Sequence, residues 1–457
     1  MRKKILILSS NLINDRVLLY NDFLEILSKD NDVYIWATSY DTPAYQNLEI
    51  ENVYIQEFPK VEPMKFKYQL IRRLNDFTWD EKGLSFSRKS FWDNSDDARK
   101  TDKTLKIIRY LAKANNFFGT YKMVEKYSES LYLKEGRSPQ TLSRLKKINP
   151  DLIIVQSPFR MDEPGIAAES LNAGYKTVAL ITSWDNISTK ARFMFQYDGY
   201  FVWSDFMKKE LNQFYPYTIS KEIFIISAPQ YDVFFKEKYV VSREFFYKSL
   251  NLNSNKKTIL LALGSPNLFD EIPSVGQIVE IVTSGILGDV QLIIRAHPLH
   301  KNDAELLNYI GKYPQVAIQL PNPSINDVNF THDEMKISEW ASTFNHIELV
   351  INLASTVSID ASVLNKPVIN LNFDPSGKKN KLVNDVNFKM NHFAPVTETG
   401  GLWLVNNYQE LIEACKIYLE NPNLHTKERR DVVELVIGNY QRDGAKQFAT
   451  AVVKFLV

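Results

Sequence analysis

One cysteine, Cys415, stands in 457 residues, so no internal disulfide forms and no multi-cysteine zinc site can be assembled. Its setting, Leu411-Ile-Glu-Ala-Cys415-Lys-Ile-Tyr-Leu419, places it on the buried side of a helix, where packing rather than nucleophilic duty is expected. Long hydrophobic runs are also missing. No stretch approaches the roughly 18–20 apolar residues of a membrane span, and the apolar run behind the basic start Met1-Arg-Lys-Lys4 stops after Leu8. That start reads as a first buried strand rather than a signal peptide, giving an expected cytoplasmic location or a peripheral one on the inner face of the plasma membrane. An excess of either charge is absent. With 55 Lys+Arg against 54 Asp+Glu the net is +1, which excludes a nucleic-acid footprint spread over the whole surface.

The chain lacks the common phosphate signatures too. There is no Walker lysine motif, and Ser9-Ser-Asn-Leu-Ile-Asn14 stands where Gly-x-Gly-x-x-Gly would follow the first strand. P-loop NTPases and ordinary dehydrogenases are therefore disfavoured. All six histidines lie at or beyond His297, so a general base from the N-terminal half must be a carboxylate or another group. His297 and His300 are three apart, but Asp303 is the nearest carboxylate at hand, and no bound metal is expected.

What is present is an alternation of short apolar runs and helical patterns. Ile5–Ser9, Val33–Ala37, Val53–Phe58, Leu152–Gln156, Thr177–Ile181, Gly199–Trp203 and Ile223–Ile226 read as strands, with helices over Asp15–Leu27, Gly165–Ala173 and Phe206–Phe214. A second series starts at Lys257–Leu263 and continues through Val290–Ala296, Val316–Leu320, Leu349–Leu353 and the run opened by Lys366-Pro367. Its helices are Ser274–Ile286, Asp303–Lys312, Glu334–Phe344 and Tyr408–Glu420, followed by a long helical stretch after Lys427. Short continuous apolar strands separated by helices indicate parallel sheets covered on both faces. The expectation is α/β, with two doubly wound Rossmann-like domains facing across a cleft. They would comprise residues 1–240 and 254–435, with a linker near Phe235–Asn255 and a terminal helix, 436–457, packing back on the first domain.

Between residues 60 and 150 the alternation breaks. This segment holds 21 Lys/Arg against 11 Asp/Glu, a local net of +10 that leaves −9 for the rest. Aromatics are interleaved with the bases, among them Phe66, Phe77, Trp79, Trp92, Phe117 and Phe118. A basic helical insertion is expected, either a solvated face or a platform for an anionic membrane surface or a lipid-phosphate-linked acceptor.

Chemistry concentrates at strand ends. The unit Glu348-Leu-Val-Ile-Asn-Leu-Ala-Ser355-Thr356-Val-Ser-Ile-Asp360 is a strand, a tight turn and a short helix. Ser355 and Thr356 then fall at a helix N-terminus, where N–H groups and the dipole favour phosphate, with Asp360 in reach of a ribose. Arg295-Ala-His297-Pro-Leu-His-Lys301 ends another strand. Arg295 offers a fixed fork for phosphate, His297 a donor or imidazolium, and Lys301 a mobile charge. Gly264 and Ser265 follow the first strand of the second series, where a glycine permits close backbone approach to a ligand. In the first series Ser183-Trp184-Asp185-Asn186 follows a strand directly. Asp185 is the leading candidate base, Trp184 and Asn186 candidate acceptor contacts, and Asp162 and Glu163 further carboxylates for the acceptor. Asn391-His392 and Gly400–Val405 would flank a polar loop bordering the cleft.

Arg295-Ala-His297-Pro, Ala354-Ser355-Thr356-Val-Ser-Ile-Asp360-Ala with Lys366-Pro-Val-Ile, and Asp443-Gly444-Ala together resemble the GT-B glycosyltransferases of bacterial surface polysaccharide synthesis (capsule, lipopolysaccharide) and their CDP-glycerol glycerophosphotransferase relatives. The resemblance implies transfer of a sugar from a nucleotide-sugar donor to a glycan or lipid-linked acceptor, with donor bound by the second domain and acceptor by the first. Ser355 and Thr356 would hold donor phosphates, Arg295 and His297 would balance their charge, and no cofactor beyond the activated donor is implied. Many relatives carry Glu where Asp360 stands. A glycerophosphotransferase and a sugar-nucleotide epimerase on the same fold are the alternatives.

Overall fold

Lys3–Ser9 (β1), Asn31–Ala37 (β2), Leu152–Val155 (β4), Thr177–Leu180 (β5) and Gly199–Val202 (β6) are almost uninterrupted β-branched, leucine and aromatic side chains, and most are inaccessible to solvent. Only a sheet covered on both faces accommodates such strands. With Val53–Glu57 (β3) and Glu222–Ile225 (β7) they form one parallel seven-stranded sheet, order β3-β2-β1-β4-β5-β6-β7. Lys257–Ala262 (β8), Val290–Arg295 (β9), Val316–Gln319 (β10), Leu349–Asn352 (β11), Val368–Leu371 (β12) and Trp403–Val405 (β13) form a second, order β10-β9-β8-β11-β12-β13. Both are doubly wound, with the strand order reversing between β1 and β4 and between β8 and β11. This computed structural model describes all residues except 1, 11–14, 84, 95–102, 136, 267–269, 298–303, 321–333, 375–380 and 457, with side chains undescribed at 91–94 and 381.

Contacts divide the chain into two units. The first comprises Met1–Asp232 and Ile437–Val457, the second Val233–Val328 and Glu334–Val436. Within the first, the C-terminal helix Gly444–Leu456 lies on the sheet through Phe448, stacked 4.1 Å from Phe23, and Phe455 beside Phe201 and Phe224. Gly199 makes room for it: a Cβ there would stand 2.4 Å from the Phe455 ring. Buried Asp232 fixes the helix start, accepting the Gly444 N–H at 3.1 Å, the Ala445 N–H at 2.8 Å and the Tyr440 hydroxyl at 2.7 Å. Asp443-Gly444-Ala thus has a local structural reason, since a Cβ on Gly444 would meet Pro229 backbone at 2.8 Å.

The insertion is helical: Phe66–Glu81, Phe86–Asn94, Lys103–Phe117, Tyr121–Lys134 and Thr141–Ile148 lie between β3 and β4. Its own small core joins Phe77, Ile108 and Ala112. Buried ions attach it to the first unit. Arg192, almost wholly inaccessible, bonds Glu125 at 2.7 Å and lies over the Trp79 and Tyr215 rings, while Arg88, paired with Asp80 inside the insertion, donates to the Lys190 carbonyl at 2.7 Å.

Three sequence expectations are corrected. Asp15–Leu27 is not one helix; the helix is Phe23–Ser28. The Asn21 amide donates to the carbonyls of Val17 and Leu19 and its oxygen accepts the Phe23 N–H, so the side chain competes with the helical ladder and restarts it. Asp303–Lys312 shortens to Ala304–Leu307. Trp403–Val405, expected beside a polar loop, is the edge strand β13. Cys415 is buried, and burial pushes its thiol up to about 12, which leaves it inert.

Candidate functional site

In the second unit, register aligns Ala262, Arg295 and Asn352 at the carboxyl edge of the sheet. The ends of β9 and β11 are therefore two strand spacings apart, about 10 Å, with β8 between them. Arg295 Nη1 donates to Gln319 Oε1 at 3.0 Å and lies 3.4 Å from Glu339 Oε1, whose other oxygen accepts Lys336 Nζ at 2.8 Å. Gln319 is itself held by its amide N–H to Thr343 Oγ1 at 2.8 Å. The fork is thus aimed by protein, one quarter exposed, and part of a Lys336–Glu339–Arg295 network with one net positive charge. Glu339 and Lys336 were not singled out from the sequence. The available signal was their spacing on the helix Glu334–His346 with Trp340 and Thr343. His297 follows β9 by two residues and is partly exposed; Lys301 lies outside the described residues.

The turn after β11 carries backbone strain: Ala354 has φ 45°, a left-handed conformation unusual for a residue with a side chain. Thr356 is the N-cap of the short helix Val357–Val363 and is exposed. The Ser355 N–H is not turned outward, because it donates to buried Asn352 Oδ1 at 2.9 Å, while Ser355 Oγ accepts the Val357 N–H at 3.4 Å. Asp360 Oδ2 accepts the Trp340 indole N–H at 3.2 Å, which orients that carboxylate across to the neighbouring helix.

Gly264 has a different reason from the one its sequence suggests. Its N–H donates to buried Glu271 Oε2 at 2.5 Å, and a Cβ would stand 2.8 Å from that oxygen. The close approach is to a carboxyl of its own loop; Ser265 follows it, partly exposed. Burial pushes the Glu271 carboxyl up to about 8 from an ordinary 4.5, the Gly264 bond opposing. The unfolded chain thus loses this proton near pH 4.5 and the folded chain near 8, so stability falls as pH rises between them. Glu271→Gln keeps the acceptor and removes the ionisation. Its unfolding free energy is expected to match the parent near pH 4.5 and exceed it at pH 8 by on the order of a few kcal/mol. Scanning calorimetry at both pH values checks this, and equal offsets at the two would refute it.

In the first unit, Asp185 is the residue before the four-residue helix Asn186–Thr189. Its carboxylate accepts the Ser183 hydroxyl and, at 3.0 Å, the Thr189 hydroxyl. Glu210, missed from the sequence, lies close by on the helix Asp205–Phe214. Burial pushes its carboxyl up to about 8, the Ser188 hydroxyl opposing and the charge of Asp185 adding to the rise. Its signal was a glutamate inside the buried stripe Met207, Leu211, Phe214. Asn186 is partly exposed. Trp184 is about 1% exposed, so in this conformation it presents no face to a sugar. It is core.

Glu163, expected as an acceptor contact, is fully buried. It accepts the Ser10 N–H at 2.8 Å and the Ser157 N–H at 2.6 Å, tying the ends of β1 and β4 where the strand order reverses. Burial holds its carboxyl near 7, and that of Asp15, bonded by Ser9, likewise. Asp162 is half exposed, 3.5 Å from Arg160. It lines a cavity of about 500 Å³ with Arg72, Leu70, Leu105 and Phe159, between the insertion and the turn after β4.

No protein-family model and no curated protein matches the sequence. Solved structures do match its shape. The UDP-GlcNAc 2-epimerase of Neisseria meningitidis bound to UDP-GlcNAc has a TM-score of 0.55 at 12% identity, covering 99% of this chain and 100% of that one. The Staphylococcus aureus MnaA–UDP complex scores 0.54 at 11% identity, covering 99% and 97%. The wall teichoic acid polymerase TagF, in a CDPG soak, scores 0.53 at 9% identity, covering 99% and 89%. Likenesses of this kind establish architecture, and with the two doubly wound parallel sheets they give this chain the GT-B fold.

Proposed function

We propose that the chain is an enzyme acting on a nucleotide-activated sugar, a glycosyltransferase that moves the sugar to a glycan or lipid-linked acceptor in surface polysaccharide synthesis. The observation that carries this is the carboxyl edge of the second sheet. There Arg295, aimed by Gln319 and Glu339, shares an edge with the strained turn at Ala354 beside the strand-order reversal, the place where doubly wound sheets bind ligands. Complexes of neighbours with UDP and UDP-GlcNAc support the same ligand class.

In this reading the second unit binds the donor and the first activates the acceptor. The acceptor oxygen attacks the anomeric carbon and gives its proton to Asp185, while the bond from that carbon to the phosphate oxygen breaks with its electron pair leaving on the nucleotide. Arg295 and His297 stabilise that leaving charge. Asp185 fits the role of base because the hydroxyls of Ser183 and Thr189 hold it in one orientation.

Epimerisation of a sugar nucleotide without acceptor, and transfer of glycerol phosphate from CDP-glycerol, rest on the same fold neighbours. A thermal-shift screen of UDP, GDP, dTDP and CMP is expected to single out one nucleotide, since a ligand at 100 times its Kd adds about 2.7 kcal/mol. The matching sugar nucleotide is then supplied with and without a glycan or lipid-linked acceptor. Consumption only with acceptor supports transfer, an altered sugar nucleotide without acceptor makes it an epimerase, and no shift with any nucleotide refutes the donor site.

A further inference from the structure

The helices Lys103–Phe117 and Tyr121–Lys134 are apolar on two sides. Inward, Ile108 and Ala112 pack against Phe77, and Ser128 and Tyr132 are buried. Outward, Ile107, Tyr110, Met123 and Tyr127 are 60–73% exposed, and Phe117 and Phe118 at the connecting turn are 84% and 74% exposed. Single exposed apolar residues are ordinary on a protein surface; seven large ones within 21 residues, Leu111 at 53% included and two of them adjacent phenylalanines, are not.

Charge is sorted between the same two sides. From 103 to 134 the sequence has seven Lys/Arg and two acids. Both acids face the rest of the unit: Glu125 pairs with Arg192 at 2.7 Å, and Glu129 accepts the Gln196 backbone N–H at 3.0 Å. Lys103, Lys106, Lys113, Lys122, Lys126 and Lys134 are all exposed. The outward surface therefore has one sign of charge, threaded between aromatic and aliphatic side chains. A protein partner's interface core is depleted in lysine. A lipid headgroup layer with negative charge matches the pattern instead, because lysine stems lie along the apolar boundary while their ammonium groups meet phosphate.

We infer that this helical hairpin is a docking surface for a bilayer containing anionic phospholipid, with Phe117 and Phe118 entering the acyl boundary and the surrounding lysines held by headgroup charge. No described helix is long and apolar enough to cross a membrane, so the attachment is interfacial. Arg295 is not part of the hairpin, so the test is independent of the donor chemistry.

The full chain is sedimented with vesicles of phosphatidylcholine alone and of phosphatidylcholine with phosphatidylglycerol. Binding is expected to the second and not the first, and to weaken with added salt. F117S/F118S is expected to lower the affinity by roughly tenfold or more. K106Q/K113Q/K122Q/K126Q should do so by about the same factor or more. Both variants alter exposed side chains, so their melting temperatures should match the parent. Equal pelleting with neutral and anionic vesicles, none with either, or binding unmoved by both variants overturns the inference. So does concentration-dependent self-association that F117S/F118S abolishes, which would assign the surface to a second copy of the chain.

Discussion

Replacing Arg295 by alanine is expected to lower donor turnover by about 10²–10³-fold, the loss typical of one preorganised group facing charge that develops as a bond breaks. The geometry gives the size. The guanidinium is held by Gln319 and Glu339, so its orientation is fixed before the donor arrives and little reorganisation remains for the reaction. Arg295→Lys keeps the charge and loses the planar fork, and an intermediate loss is expected. Fold damage is a separate matter, since Glu339 retains Lys336 as a partner at 2.8 Å when the arginine is removed. Steady-state kinetics with the nucleotide sugar from the ligand screen, beside a melting curve for each variant, separates the effects. Arg295→Ala with unchanged kcat/KM would remove the arginine from the donor site.

The second large effect concerns stability. Asp232→Ala is expected to destabilise the first unit by about 3–5 kcal/mol, because it leaves the buried N–H groups of Gly444 and Ala445 and the Tyr440 hydroxyl without the carboxylate that receives them. In a unit of this size that corresponds to a fall in its melting temperature of roughly 10 °C. Asp232→Asn keeps one acceptor oxygen and is expected to lose about half as much. The helix Gly444–Leu456 carries Phe448 and Phe455 onto the sheet, so an unanchored helix exposes those rings as well. Calorimetry or a denaturant titration reads the change. A shift within 1 °C of the parent would mean other contacts hold the helix start.

Asp443-Gly444-Ala shows how a sequence motif can carry a structural meaning and be read as a family mark. Gly444 is there because Pro229 backbone lies where its Cβ would be, and a single chain cannot disclose that a segment 215 residues earlier crosses this point. The same holds for Gly264, whose missing side chain clears the Glu271 carboxyl. Glu163 and Trp184 looked like groups for a ligand because polar and aromatic residues after strands often are. Both are buried in the folded chain, a tertiary fact.

Sequence by itself determined the layered α/β architecture, since runs such as Ile5-Leu-Ile-Leu8 and Leu349-Val-Ile351 are stable only with both faces covered and their alternation with helices dictates parallel strands. It also located the strand ends that carry Arg295, Ser355 and Asp185, because polar residues directly after an apolar strand fall at a sheet edge. Tertiary structure alone decided strand order, and with it that β9 and β11 end on the same edge with β8 between them. It alone decided which hydrogen-bonding groups are already taken, such as the N–H of Ser355 by Asn352, and which face of the basic insertion is turned to solvent. The physical reason is range. Periodicity and turn chemistry are local and act within a few residues of chain, whereas partner choice, burial and desolvation depend on segments brought together from hundreds of residues apart.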